Sequence, residues 1–179
     1  FRRLAASLEE FARRLPRHAS SADFLYQAAQ IRQGLGQYRL ANADYAQLLA
    51  GKSAKVLDKV EIVWILAENN LKLGDDRGAL QVLLEHQGKL QGASRTRAQA
   101  TIAELYRQGG DGQNAAKFRQ AARKGFEKNG GQRDPAMKDA LAGMEFGALE
   151  GQYRDYMDLQ LRGSIDDAIV RRKGDLLGS

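Results

Sequence analysis

Cysteine is missing from all 179 residues. Its absence excludes disulfide staples, thiolate nucleophiles and cysteine-bound metals together. Histidine is nearly absent too: only His18 and His86 occur, and neither belongs to a metal-spaced pair such as His-Glu-x-x-His. Both read as surface or packing residues. Proline occurs twice, which leaves long stretches without the residue that breaks a helix. No apolar run approaches the ~20 residues that a membrane-crossing helix needs. Valine and isoleucine are sparse beside alanine, leucine, glutamine and arginine, a balance that favours helix over strand. With 43% hydrophobic and 28% charged residues the chain is too apolar to be disordered, so an all-α fold is expected.

The formal charge is +6, with Arg2, Arg3, Arg13, Arg14 and Arg17 towards one end and Arg171, Arg172 and Lys173 towards the other. Leucine, alanine and acidic residues separate these charges at helical spacing, and no aromatic side chains interleave with them to stack bases. They read as solvated helix faces in preference to a nucleic-acid or lipid site. Gly109-Gly110-Asp111-Gly112 lacks the lysine and hydroxyl of a phosphate-binding loop and reads as a turn. The acidic neighbours Glu9-Glu10, Asp75-Asp76 and Asp166-Asp167 suit helix starts, where carboxylates meet free amides and the positive end of the dipole. No reactive set converges, so no catalytic residue, metal or cofactor is expected and the chain is not expected to be an enzyme.

What is abundant is glycine in a recurring place. Gly36, Gly74, Gly110 and Gly151 lie 38, 36 and 41 residues apart, a period of one helical pair. Seven residues before them stand Ala29, Ala67, Ala103 and Met144, and five after stand Ala41, Ala79, Ala115 and Tyr156. Small residues in two helices allow a close crossing. Apolar stripes at three- and four-residue spacing surround them: Leu25 and Ala28, then Val60, Val63 and Leu66, then Ile102 and Tyr106. The glycine itself suits a helix end, where a residue of positive φ is needed. Further turns are expected at Gly51, 91–94 and 129–135. Helices are expected at 2–15, 21–35, 38–50, 55–73, 76–90, 94–109, 112–129, 135–150, 152–162 and 165–172.

A small residue, a turn glycine, an aromatic two later, an alanine five later and a bulky residue four beyond that resembles the tetratricopeptide repeat (TPR). The resemblance is fullest in 22–50, through Ala29, Gly36, Tyr38, Ala41 and Tyr45, continues through 60–90 and 96–126, and fades in 137–163. The family's closing proline is missing from the three better units. Its aromatic four residues before the glycine survives only as Tyr106; Arg32, Asn70 and Gly147 stand in the other places. In the third unit Phe118 falls one residue short of the expected position, at Arg119. The resemblance implies a right-handed solenoid of stacked antiparallel helical hairpins forming one domain over 1–179. Its hairpins would be 22–50, 57–90, 94–129 and 135–163, after a helix at 2–15 and before a short C-terminal helix.

The helix end at Leu15-Pro16 is similar to one found in bacterial envelope TPR proteins, although an amphipathic helix stopped by proline explains it equally. A cysteine-free chain tolerates an oxidising compartment, so a periplasmic or envelope location is expected, with the cytoplasm as the alternative. In the TPR resemblance the positions ten, six and three residues before each glycine face a concave groove. The candidate partner-binding residues are therefore Tyr26, Gln30, Gln33, Trp64, Glu68, Glu104, Arg107 and Glu145. Trp64 also reads as core, since Ile62, Val63, Ile65 and Leu66 surround it. The expected function is a non-catalytic scaffold that binds a protein or peptide segment. The alternative is an assembly piece of a longer TPR array in an envelope or motility complex, self-associating through its solenoid ends.

Overall fold

The computed structural model describes residues 1–51, 59–129, 134–158, 170–172 and 174–175. Among these residues the only regular secondary structure is helical. The helices are α1 (Arg2–Arg14), α2 (Ser21–Gly34), α3 (Tyr38–Ala50), α4 (Lys59–Lys72), α5 (Asp76–His86), α6 (Gly92–Gln108), α7 (Gly112–Lys128) and α8 (Pro135–Asp158). Where one domain is expected from the sequence, the chain divides into two compact units, Phe1–Ser94 and Arg95–Ser179. The expected start of α4 at 55–58 and most of the expected helix at 165–172 lie outside the described residues.

In the first unit each helix packs on the next, α1 on α2, α2 on α3, α3 on α4 and α4 on α5. Its core joins Ala12, Leu25, Ala29, Ala41, Tyr45, Leu48, Ile62 and Leu66. Ala29 and Ala41 are wholly buried, as close helix crossing requires. In the second unit Ala100 and Ala103 of α6 meet Ala122 of α7 and Met144 of α8. The stripes read from the sequence are thus the buried faces, save that Val60 and Tyr106 are only half-buried.

Three turns share one construction. Gly36, Gly74 and Gly110 have φ of 70°, 71° and 80°. In each, the glycine N–H donates to the carbonyl three residues back (Gln33, Leu71, Arg107). The next N–H, of Gln37, Asp75 or Asp111, donates to the carbonyl five back (Arg32, Asn70, Tyr106) at 2.8–2.9 Å. This double bond pattern is the Schellman motif, which satisfies carbonyls that a helix end leaves open. Asp75 and Asp111 then cap the following helix by accepting from Gly78 and Asn114.

Gly151 does not turn. α8 runs through it from Pro135 to Asp158, so the expected hairpin 135–163, with helices 135–150 and 152–162, is a single helix over its described part. Gly36-Gln37-Tyr38-Arg39 and Gly151-Gln152-Tyr153-Arg154 are the same four residues. Their surroundings decide the difference. Gly36 follows Gly34 two residues earlier, which weakens the helix end twice over, at ~1 kcal/mol per glycine relative to alanine. Gly151 stands alone between Glu150 and Gln152, both good helix formers, and Arg154 lies 3.8 Å from Glu150 across that turn. Five residues on, Tyr156 replaces the alanine that permits a close crossing.

Smaller shifts have local causes. α5 ends at His86, short of the expected residue 90, and Lys89 and Leu90 close successive turns onto the His86 and Gln87 carbonyls. Leu90, freed from the helix, is buried.

Candidate functional site

In the first unit the candidate residues of α2 gather around Tyr45. Its hydroxyl donates to Gln33 Oε1 at 3.0 Å, and the half-buried Tyr26 ring meets it edge-on at 5.8 Å. Burial and then the nearby Glu61 raise the Tyr26 phenol above its ordinary value. Gln30 is exposed beside it. Tyr26 and Gln33 are therefore committed to packing as much as to display. On α4, Glu68 is exposed and Trp64 half-buried, between the two readings its neighbours allow.

Behind this face sits a charge cluster that periodicity alone does not reveal. Arg32 bridges Glu9 of α1 and Asp44 of α3, the latter at 3.5 Å. Asp44 is only 3% exposed, and its Oδ2 has no hydrogen-bond partner. Burial is the largest influence and pushes its carboxyl up to about 6, Glu9 adding in the same direction and Arg32 opposing. Between α3 and α4 Asn69, wholly buried, donates to Asn42 Oδ1 at 2.9 Å, and Asn42 donates to Asn70 Oδ1 at 2.8 Å.

In the second unit Glu104 and Arg107 occupy successive turns of α6 and pair with each other. Arg107 donates through Nε and Nη2 at 2.8 and 2.6 Å, and Gln108 adds a third bond to Glu104 at 2.9 Å. The pair forms one wall of a cleft of about 240 Å³ between α6, α7 and α8. Arg119 and Gln152 are its other polar groups; Ala103, Met144 and Ala148 supply apolar surface. Gly147 makes the arrangement possible, because a Cβ there would lie 2.6 Å from Glu104 Oε2 and 2.9 Å from Arg107 Nε. Glu145 lies apart from the cleft lining, where Arg123 donates to both its oxygens at 2.5 Å. That bond, more than any other influence, holds the Glu145 carboxyl below the usual range.

The expected row of groove glutamates is thus partly self-neutralised: Glu104 and Glu145 each carry an arginine. The structure brings Glu104 and Arg107 into one cleft, and gathers Tyr26, Gln30 and Gln33 on α2. Sequence reasoning misses Arg119 and Gln152, since it places only positions before each glycine in the groove, and Arg119 follows Gly110 while Gln152 follows Gly151. Gly147, standing where the TPR resemblance expects an aromatic, is the one sequence signal of a space beside α6. At ~240 Å³ the cleft is below the ~300–1,000 Å³ typical of cofactor and small-molecule sites. It has room for about one side chain. Among the described residues no group of three or more acidic or histidine side chains is placed to hold a metal, and no helix is long and apolar enough to cross a membrane. No family model matches the chain, and no curated protein or solved structure matches it.

Proposed function

We propose that the chain is a TPR-like α-solenoid segment that works without catalysis, by holding a protein segment against its surface. The observation that carries this reading is the triple recurrence of one joint, at Gly36, Gly74 and Gly110, with the same φ and the same pair of hydrogen bonds. Repetition of a whole supersecondary unit serves stacking and extended display more than it serves a focused reaction. The α6–α8 cleft is the docking point. Its apolar floor takes an aliphatic side chain, while Arg119 favours an acidic neighbour on the partner. The helix end at Leu15-Pro16 supports a bacterial envelope setting for this scaffold.

Panning a random peptide library on the whole chain tests the proposal. Enriched peptides combine an aliphatic with an acidic residue, and lose binding when Ala148→Trp fills the cleft or Arg119→Glu reverses its charge. Peptides that bind both variants unchanged would place recognition elsewhere, and a library that yields no binders would remove the scaffold reading.

A further inference from the structure

α8 carries large apolar residues on two opposite sides. Met137 and Met144 are buried, whereas Phe146, Leu149, Tyr153 and Met157 are 69%, 60%, 64% and 58% exposed. At 100° per residue these four lie within one narrow arc, directly opposite the buried methionines. Exposed leucines are ordinary one at a time; an aligned stripe four residues long is not.

The stripe has an internal symmetry. Reversed about the midpoint of Gly151 and Gln152, Phe146 exchanges with Met157, and Leu149 falls within one residue of Tyr153. Along one flank the same reversal brings Glu150 within one residue of Arg154. Both are more than half exposed and only loosely paired within the helix, at 3.8 Å. When two identical helices pair antiparallel about a twofold axis, each flank meets the same flank of the other copy. Glu150 of one copy then meets Arg154 of the second, twice over.

We propose that this face of α8 binds the same face of a second copy of the chain, antiparallel, with its axis near Gly151 and Gln152. The occupant is fixed by that self-complementarity, since an unrelated partner gives no reason for hydrophobic and charged positions to obey one reversal. The area agrees. At about 150–250 Å² per large side chain, more than half of it exposed, the stripe offers on the order of 450 Å² per copy. A pair buries about 900 Å² before flanking groups are counted, close to the ~1,000 Å² of a specific but reversible association.

Sedimentation equilibrium of the full chain, from low to several hundred micromolar, tests this. A monomer–dimer equilibrium is expected, and Leu149→Glu raises its dissociation constant about tenfold or more while the helical circular dichroism stays unchanged. Glu150→Arg alone sets like charges opposite one another and weakens the dimer; adding Arg154→Glu restores it. The charge exchange involves only exposed positions and remains informative should Leu149→Glu disturb the fold. A monomer at every concentration overturns the proposal, as does association indifferent to Leu149→Glu. Weakening by Glu150→Arg that the double exchange fails to restore overturns the antiparallel register.

Discussion

Replacing Arg32 by methionine should destabilise the first unit by an amount that depends on pH in a set direction. Arg32 lies between two carboxylates of unequal freedom. Glu9 is 38% exposed and can turn to water, whereas Asp44 cannot. In the parent chain the Asp44 carboxyl is raised to about 6, chiefly by burial. The folded state therefore keeps that proton between about pH 4 and 6, where the unfolded state has lost it. Its contribution to stability falls as pH rises through that window and levels off above it.

Arg32→Met removes the one influence that lowers the Asp44 pKa, so the decline continues past pH 6. At pH 5 Asp44 is mostly protonated with or without the arginine, and the variant loses mainly the half-exposed bridge to Glu9, about 1 kcal/mol. At pH 8 the buried carboxyl must stand ionised without its partner or take a proton. Protonation two pH units above a value of about 6 costs about 2.7 kcal/mol, which caps the additional loss. Relaxation and residual screening reduce it to about 1–1.5 kcal/mol. Urea unfolding followed by circular dichroism at pH 5 and pH 8, on the parent and on Arg32→Met, reads the difference directly. Equal losses at the two pH values, or a larger loss at pH 5, would refute the burial account of Asp44.

Glycines 110 and 151 should respond oppositely to alanine. Gly110→Ala forces a Cβ into φ 80° and costs about 1–2 kcal/mol, whereas Gly151→Ala, with open space around its Cβ, gains about 0.5–1 kcal/mol; thermal melts of both variants provide the comparison. Asn42→Ala leaves the buried Asn69 amide without its acceptor and should cost about 2–3 kcal/mol in urea titration, well above the ±0.5 kcal/mol of an ordinary surface change.

Much of the helical framework was legible because its signals are local. A glycine after an apolar stripe, followed by aspartate, announces a helix stop and the next cap within four residues, as at Gly74-Asp75 and Gly110-Asp111. Leu25, Ala28, Val63, Leu66 and Ile102 were readable as core because burial repeats at the helical period. The same reasoning failed at Gly151 because the tetrapeptide is identical to that at Gly36 and the outcome rests on residues outside it. Gly34 weakens one site; the helix formers Glu150 and Gln152 flank the other. The candidate site was legible only as positions. Which glutamates remain free depends on partners such as Arg123, 22 residues from Glu145, and no period links them.

The place where the repeat pattern breaks most plainly is also where neighbouring helices are tied together. Four residues before the turn glycines, Arg32, Asn70 and Tyr106 occupy the position of a single expected aromatic. Only Tyr106 does the aromatic's work, stacking on Phe118 of the following helix at 5.7 Å. Arg32 reaches α3 through a buried carboxylate, and Asn70 reaches back to α3 through Asn42. Apolar stripes of alanine and leucine can slide by a turn with little loss of contact. A buried amide or carboxylate that slides loses its partner and leaves a polar group unsatisfied, at about 1–3 kcal/mol each. In the first unit, polar substitution at this position therefore makes register the expensive thing to change: α2 on α3 through Arg32, and α3 on α4 through Asn42. The second unit, with its aromatic in place, lacks a tie of this kind there, and a different device holds α7 to α8, the two-pronged bond of Arg123 to Glu145.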